Sequence, residues 1–221
     1  MRSLSRLFVL MMPLCGLGAC RIRESGRVDS AALHYDATGP TLHVTVVGNA
    51  GDSRAAPARE AISYWNSEFR RLNRRLQFKL DTLRANPVPD DVVRAAQSEV
   101  MFGGGPATSR LRAKLADVPG DIVIILTQAD LISFSVGWRR GDKGIVAMRR
   151  ADIWPLSLPN TVRNVVAHEF GHVIGLQHNS DSTTLMCGRP APCRPIAFVS
   201  DSARFFPLTR EDERYLETRW P

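Results

Sequence analysis

Histidines at 168 and 172, a glutamate at 169 and a third histidine at 178 form the stretch of this 221-residue chain whose residue types and spacing point to chemistry. Residues four apart lie on one face of an α-helix, so His168 and His172 can grip a single ion together. Glu169 sits beside that face, where a carboxylate reaches metal-held water without becoming a ligand. Gly175 tolerates backbone angles that other residues resist, and a sharp turn there returns His178 as a third nitrogen ligand. Three imidazoles leave one tetrahedral position of zinc open, the arrangement of a catalytic rather than a structural site. One Zn2+ is therefore expected. Two histidines at i and i+4 are often only a half-buried polar stripe. The added Gly175 and His178 decide against that, because each has its own geometric task.

The pattern H-E-x-x-H-x-x-G-x-x-H, followed eight residues later by Leu185-Met186-Cys187, resembles the metzincin clan of zinc peptidases. The short spacing and the Leu-Met pair most resemble the matrixins, and Pro207-Leu208-Thr209-Arg210-Glu211-Asp212 resembles the start of their C-terminal helix. The resemblance is specific at the zinc motif and the methionine turn, and architectural elsewhere over roughly residues 41 to 220. It implies an α+β fold of the α/β-type metzincin catalytic domain. That is a twisted, mostly parallel sheet of about four to five strands with an antiparallel edge strand, a backing helix, an active-site helix and a C-terminal helix. It also implies peptide hydrolysis, with Glu169 as general base and Met186 beneath the metal without ligating it. The partner would be a peptide or protein substrate, bound extended along the edge strand. Where astacins and serralysins carry a tyrosine after the turn methionine, this chain has Gly188, so no phenolic ligand is expected. Thr127 to Gly144, where matrixins bind structural zinc and calcium, contains no histidine. A structural zinc is not expected there, and the sequence leaves calcium undecided. No counterpart of the family's inhibitory-cysteine prodomain is read in the chain.

The elements that must position this site follow from periodicity. Thr41 to Val47 alternates and is β-branched, which predicts a first strand. Ala58, Ile62, Trp65, Phe69, Leu72 and Leu76 form an apolar stripe on a helix expected from about Ala55 to Leu76. Arg70, Arg71, Arg74 and Arg75 fall largely outside it, on a solvated face, with a docking surface as the alternative. Leu76 to Thr82 offers a second strand. Asp90 is a candidate cap for a helix from Asp91 to about Met101, and a shorter helix is expected over Ser109 to Ala116. The run Gly103-Gly104-Gly105-Pro106 between them lacks the lysine and hydroxyl residue of a phosphate loop. The continuous apolar run Asp121 to Leu126 predicts a sheet centre covered on both faces. Gly144 to Met148 is read as the last strand and as the edge that receives substrate. Arg139, Arg140, Lys143, Arg149 and Arg150 flank it, which raises a bias toward acidic substrates against a simpler reading as solvated flanks. The motif helix is expected to begin near Asn160 or Thr161, with either as its cap. A closing helix is expected over Leu208 to Trp220 with Thr209 as its cap.

The N-terminus and the cysteines bear on location. Arg2 and Arg6 precede the apolar run Leu7 to Leu14, the pattern of a secretory signal. Leu17-Gly18-Ala19-Cys20 resembles the lipobox of bacterial lipoproteins, which implies cleavage before Cys20 and its lipidation. The expected organisation is a signal peptide over 1–19, a lipidated cysteine and tether over 20–40, and one peptidase domain over 41–221. The expected location is the bacterial cell envelope, through a membrane anchor. Removing Arg2 and Arg6 takes the formal charge from +7 to about +5. The arginines are scattered rather than gathered with aromatics, so nucleic acid is not an expected partner; a monomer is. With Cys15 lost and Cys20 lipidated, Cys187 and Cys193 remain. An oxidising compartment favours their disulfide, with two buried thiols or a thiolate at the metal as alternatives. Two other functions fit the same residues: a zinc hydrolase of cell-wall amide links, and a non-catalytic zinc-stabilised binding lipoprotein. Replacing Glu169 separates catalysis from binding, since a structural site tolerates losing a non-ligand.

Overall fold

The computed structural model describes residues 34–36, 39–81, 83–86, 88–188, 198–199 and 203–221. The signal segment, Cys20 and Cys193 lie outside the described residues. The sheet is mixed and mostly parallel, as expected. Its body runs β3-β2-β4-β6-β5, with β2 at Gly39–Val47, β3 at Gln77–Leu80, β4 at Ile122–Leu126, β5 at Phe134–Val136 and β6 at Gly144–Met148. β3, β4 and β6 continue β2 in parallel, while β5 runs antiparallel to β6. A short β1, His34–Asp36, pairs antiparallel with the start of β2, inside the stretch read from sequence as a tether.

Strand alternation sends side chains to both faces of the sheet. Ile122, Ile124 and Leu126 of β4 join a core that contains α1 (Ala55–Arg71) and α4 (Pro159–Val173). Val123 and Ile125 join a second core beneath α2 (Asp90–Phe102) and α3 (Ala107–Lys114). The apolar run of β4 is thus fully buried because helices cover both sides. On the first face Ala58, Ile62, Trp65 and Phe69 of α1 are buried, and the Trp65 indole donates to the Ala167 carbonyl of α4 at 3.0 Å. That bond fixes α4 in height as well as in contact.

Several expectations are corrected by the fold. Gly144–Met148 is not the edge: it pairs with β4 on one side and β5 on the other, and all five residues are buried. The edge on that side is β5, too short and too serine-broken to read as a strand. α1 stops at Arg71 rather than Leu76, because Asn73 takes a left-handed conformation (φ 55°) that ends the helical path. Asp90 does not cap α2; Pro89 precedes the helix, and the Asp90 carboxylate instead accepts from the Thr127 hydroxyl. Nor does Asn160 or Thr161 cap α4. The helix begins at Pro159, whose missing N–H costs nothing in the first turn. Thr209 does cap α5 (Arg210–Arg219), through a reciprocal capping box with Asp212. Among the described residues, no helix is long and apolar enough to cross a membrane.

Candidate metal centre

α4 carries His168 and His172 one turn apart, and the chain leaves the helix at Ile174. Gly175 has φ +106°, which favours glycine, and a Cβ there would collide with the Tyr215 hydroxyl of α5. The turn is therefore specified twice, by backbone angle and by space. It returns His178 so that the three Nε2 atoms converge: 3.1 Å between His168 and His172, 3.2 Å between His168 and His178, and 2.9 Å between His172 and His178.

The hydrogen bonds on the far side of the rings define what these nitrogens offer. His168 Nδ1 donates to the Leu185 carbonyl at 2.7 Å, and His172 Nδ1 donates to the Leu176 carbonyl at 2.8 Å. A carbonyl only accepts, so each Nδ1 holds the proton and each Nε2 presents a lone pair inward. Lone pairs facing one point at these separations repel unless a cation lies between them. Tetrahedral ligands at about 2.0–2.1 Å from zinc lie roughly 3.3 Å apart, close to the spacing found. The residues fit a metal ion, and His168, His172 and His178 are the group that could hold it.

Electrostatics agree. Burial pushes His168 down to about 4, against the opposing pull of its Leu185 hydrogen bond. Burial and the neighbouring His172 push His178 down to about 4. Burial, then His168, lowers His172 as well. The imidazoles stay neutral and available as ligands at neutral pH. Glu169 is buried in the same cleft, and burial raises its carboxyl above the usual range, with His172 and a hydrogen bond to Ser135 opposing.

Met186 lies under α4. A Cβ on Gly171 would stand 2.5 Å from its Sδ and 3.0 Å from its Cε, so the thioether packs against the helix backbone at Gly171. Gly188 serves the site in a way its sequence position did not suggest: a Cβ there would lie 2.5 Å from His178 Nε2. The His178 ring occupies the space of the absent side chain. Asn179 closes this corner. Its N–H donates to the Met186 carbonyl at 2.9 Å, and its carbonyl accepts from the Gly188 N–H at 3.1 Å. Cys187 is buried at the cleft wall, while its proposed partner lies outside the described residues.

The cleft has a volume of about 610 Å³. Ser133, Phe134, Ser135 and Gly137 of the β5 region form one side, His168, Glu169, His172 and His178 its floor, and Leu156 and Phe198 the far wall. Two buried asparagines, Asn160, which the sequence offered only as a cap candidate, and Asn164, which carried no sequence signal, hold that wall to α4. Asn160 Nδ2 donates to the Phe198 carbonyl (2.9 Å) while its Oδ1 accepts from the Arg204 N–H (3.0 Å). Asn164 does the same with the Arg204 carbonyl (2.8 Å) and the Phe206 N–H (3.0 Å). Of the basic residues flanking β6, Arg149 lines the cleft but is paired with Asp130, and Arg150 is paired with Asp152. Lys143 donates to the Gly120 carbonyl.

Residues 131–195 match the profile of the matrixin family (Peptidase M10), less than a third of the chain but the part that spans β5, the triad and Met186. Together with the triad, this match supports a metzincin-like zinc peptidase. Among solved structures, archaemetzincin from Methanopyrus kandleri is similar at 18% identity and a TM-score of 0.49, covering 80% of this chain and 93% of its own. A zinc-dependent peptidase from Methanocorpusculum labreanum is similar at 16% identity and a TM-score of 0.47, covering 79% and 98%. No match emerges among curated protein sequences.

Proposed function

We propose that this protein is a zinc-dependent endopeptidase that cuts an extended peptide at the cell envelope or outside the cell. The observation that carries the reading is the convergence of three Nε2 atoms, two with their tautomers fixed by backbone carbonyls, beside a buried carboxylate in an open cleft. Zinc held by His168, His172 and His178 would supply Lewis-acid activation of water and of the scissile carbonyl. Glu169 takes the proton of the attacking water and returns it to the departing amine. Its raised affinity for protons suits that exchange: a buried carboxylate with a pKa above the ordinary range accepts a proton near neutral pH more readily. Among the described residues no strand pairs with the outer side of β5, and an extended peptide can add there beside the cleft as a further strand. Met186 supports the floor from below.

The sequence supports export through residues 1–19 and anchoring through a lipidated Cys20, with Cys187 and Cys193 joined in the oxidising compartment beyond. The disulfide would stiffen the segment after the methionine turn.

A mixed peptide-library digest with zinc-loaded protein, run beside Glu169→Gln, tests the reading. Zinc-dependent cuts that fall by roughly 10²–10⁴-fold in the variant, with zinc still bound, are expected. No cuts by either protein, with one zinc bound in both, would overturn it.

A further inference from the structure

The apolar stripe of α2 outruns the core it belongs to. Val93 and Ala96 are fully buried against the sheet, yet Val100, one turn further on the same face, is 42% exposed. Met101 beside it is 36% exposed, and Phe102 continues the apolar surface outward. Val100 and Met101 line the same cleft as the histidine triad, and so does Ile132, 51% exposed on the segment that leads into β5. These are the large apolar side chains that the described surface leaves open there, and they face the metal centre's cleft rather than a random patch.

The shelf is held in place. Glu99, the residue before Val100, reaches across to the start of α3, where its carboxylate accepts from the Ala107 and Thr108 N–H groups and from the Thr108 hydroxyl at 2.6 Å. The last turn of α2 is thereby tied to α3 while Val100 and Met101 stay uncovered.

The sheet says what such a shelf meets. β5 has α4 on one face, where Ser135 bonds Glu169, and α2 on the other, where Phe134 and Val136 pack. A peptide strand added to the β5 edge sends alternate side chains to these two faces. One set goes toward the metal centre, and the other goes toward α2. Resting on the peptidase reading above, we infer that Val100, Met101 and Ile132 form a specificity subsite that takes an apolar side chain of the substrate strand, projecting away from the metal. The chemistry selected is an apolar residue within an extended peptide, set by helix α2 rather than by the motif helix.

The test compares cleavage profiles of zinc-loaded wild type, Val100→Asp/Met101→Asp and, on a different element, Ile132→Asn, with zinc stoichiometry and thermal melts as controls of folding. The wild type is expected to enrich an apolar residue at one position of its cut sites. Each variant is expected to lose that enrichment and at least about tenfold in kcat/KM on the preferred peptide, mostly through KM, while peptides with a polar residue there are cut as before. Because these side chains are partly exposed, at least one variant should fold, and one suffices. Cutting with an unchanged profile in a folded variant would overturn the subsite and leave the peptidase reading standing. No cutting by the wild type would overturn both.

Discussion

Replacing Gly188 by alanine isolates the tightest steric condition on the metal centre. The new Cβ would stand 2.5 Å from His178 Nε2, about 1 Å inside an ordinary contact of ~3.5 Å, and nearer still to the ring carbons. Gly188 itself is held through its N–H to the Asn179 carbonyl, so the exposed His178 ring is the group that gives way. Metal-ligand distances tolerate only about ±0.2 Å, so a retreat of about 1 Å takes His178 out of the coordination sphere. Disturbing a supporting residue commonly costs about 10–100-fold in metal affinity, and displacing a ligand costs at least that much. A zinc titration against a chromophoric chelator is expected to show that loss, while the metal-free melt of Gly188→Ala stays close to wild type. Zinc affinity equal to wild type would refute the reasoning, because His178 would then not be a ligand in the position described.

Two further outcomes follow from the surroundings. Asn164→Ala removes both hydrogen bonds to the Arg204 and Phe206 backbone and leaves those groups without their side-chain partner, which costs about 2–4 kcal/mol in urea unfolding; a loss below about 0.5 kcal/mol would mean the latch contributes nothing. Metal-free protein should lose stability as pH falls from about 6.5 toward 4: His168 and His178 have folded values near 4, so the unfolded chain binds protons first across that window. Glu169 acts in the opposite direction, since its raised folded value favours the protonated folded form, and a Glu169→Gln variant should therefore show a steeper loss. Denaturation midpoints at pH 7, 5.5 and 4 that do not move would contradict the burial of these rings.

The zinc motif was legible because each ligand is a side chain at a helical or turn spacing, and the buried runs of β4 and α1 were legible from period alone. What escaped was carried by backbone or by absence. The Leu185 and Leu176 carbonyls that fix the histidine tautomers have no sequence signature, since any residue supplies a carbonyl. Gly188 read only as a missing tyrosine, because the ring that fills its place comes from ten residues upstream. Phe134–Val136 is three residues long and serine-centred, so its pairing is set by β6 beside it rather than by its own pattern. The family resemblance places the edge at Gly144–Met148, whereas the unbroken apolar run of that strand fits the interior position it holds. Asn160 has the chemistry of a helix cap, but Pro159 already begins the helix, so its amide bonds the backbone of Phe198 and Arg204 instead.

The central claim is an open centre of three imidazoles, and zinc K-edge X-ray absorption on the protein loaded with one equivalent tests it most directly. The account predicts three nitrogen ligands with imidazole scattering at about 2.0–2.1 Å and one further light atom, with one imidazole lost in His178→Ala. A sulfur shell at about 2.3 Å, which would place the Cys187 thiolate on the metal, or fewer than three imidazoles in the wild type, would contradict it.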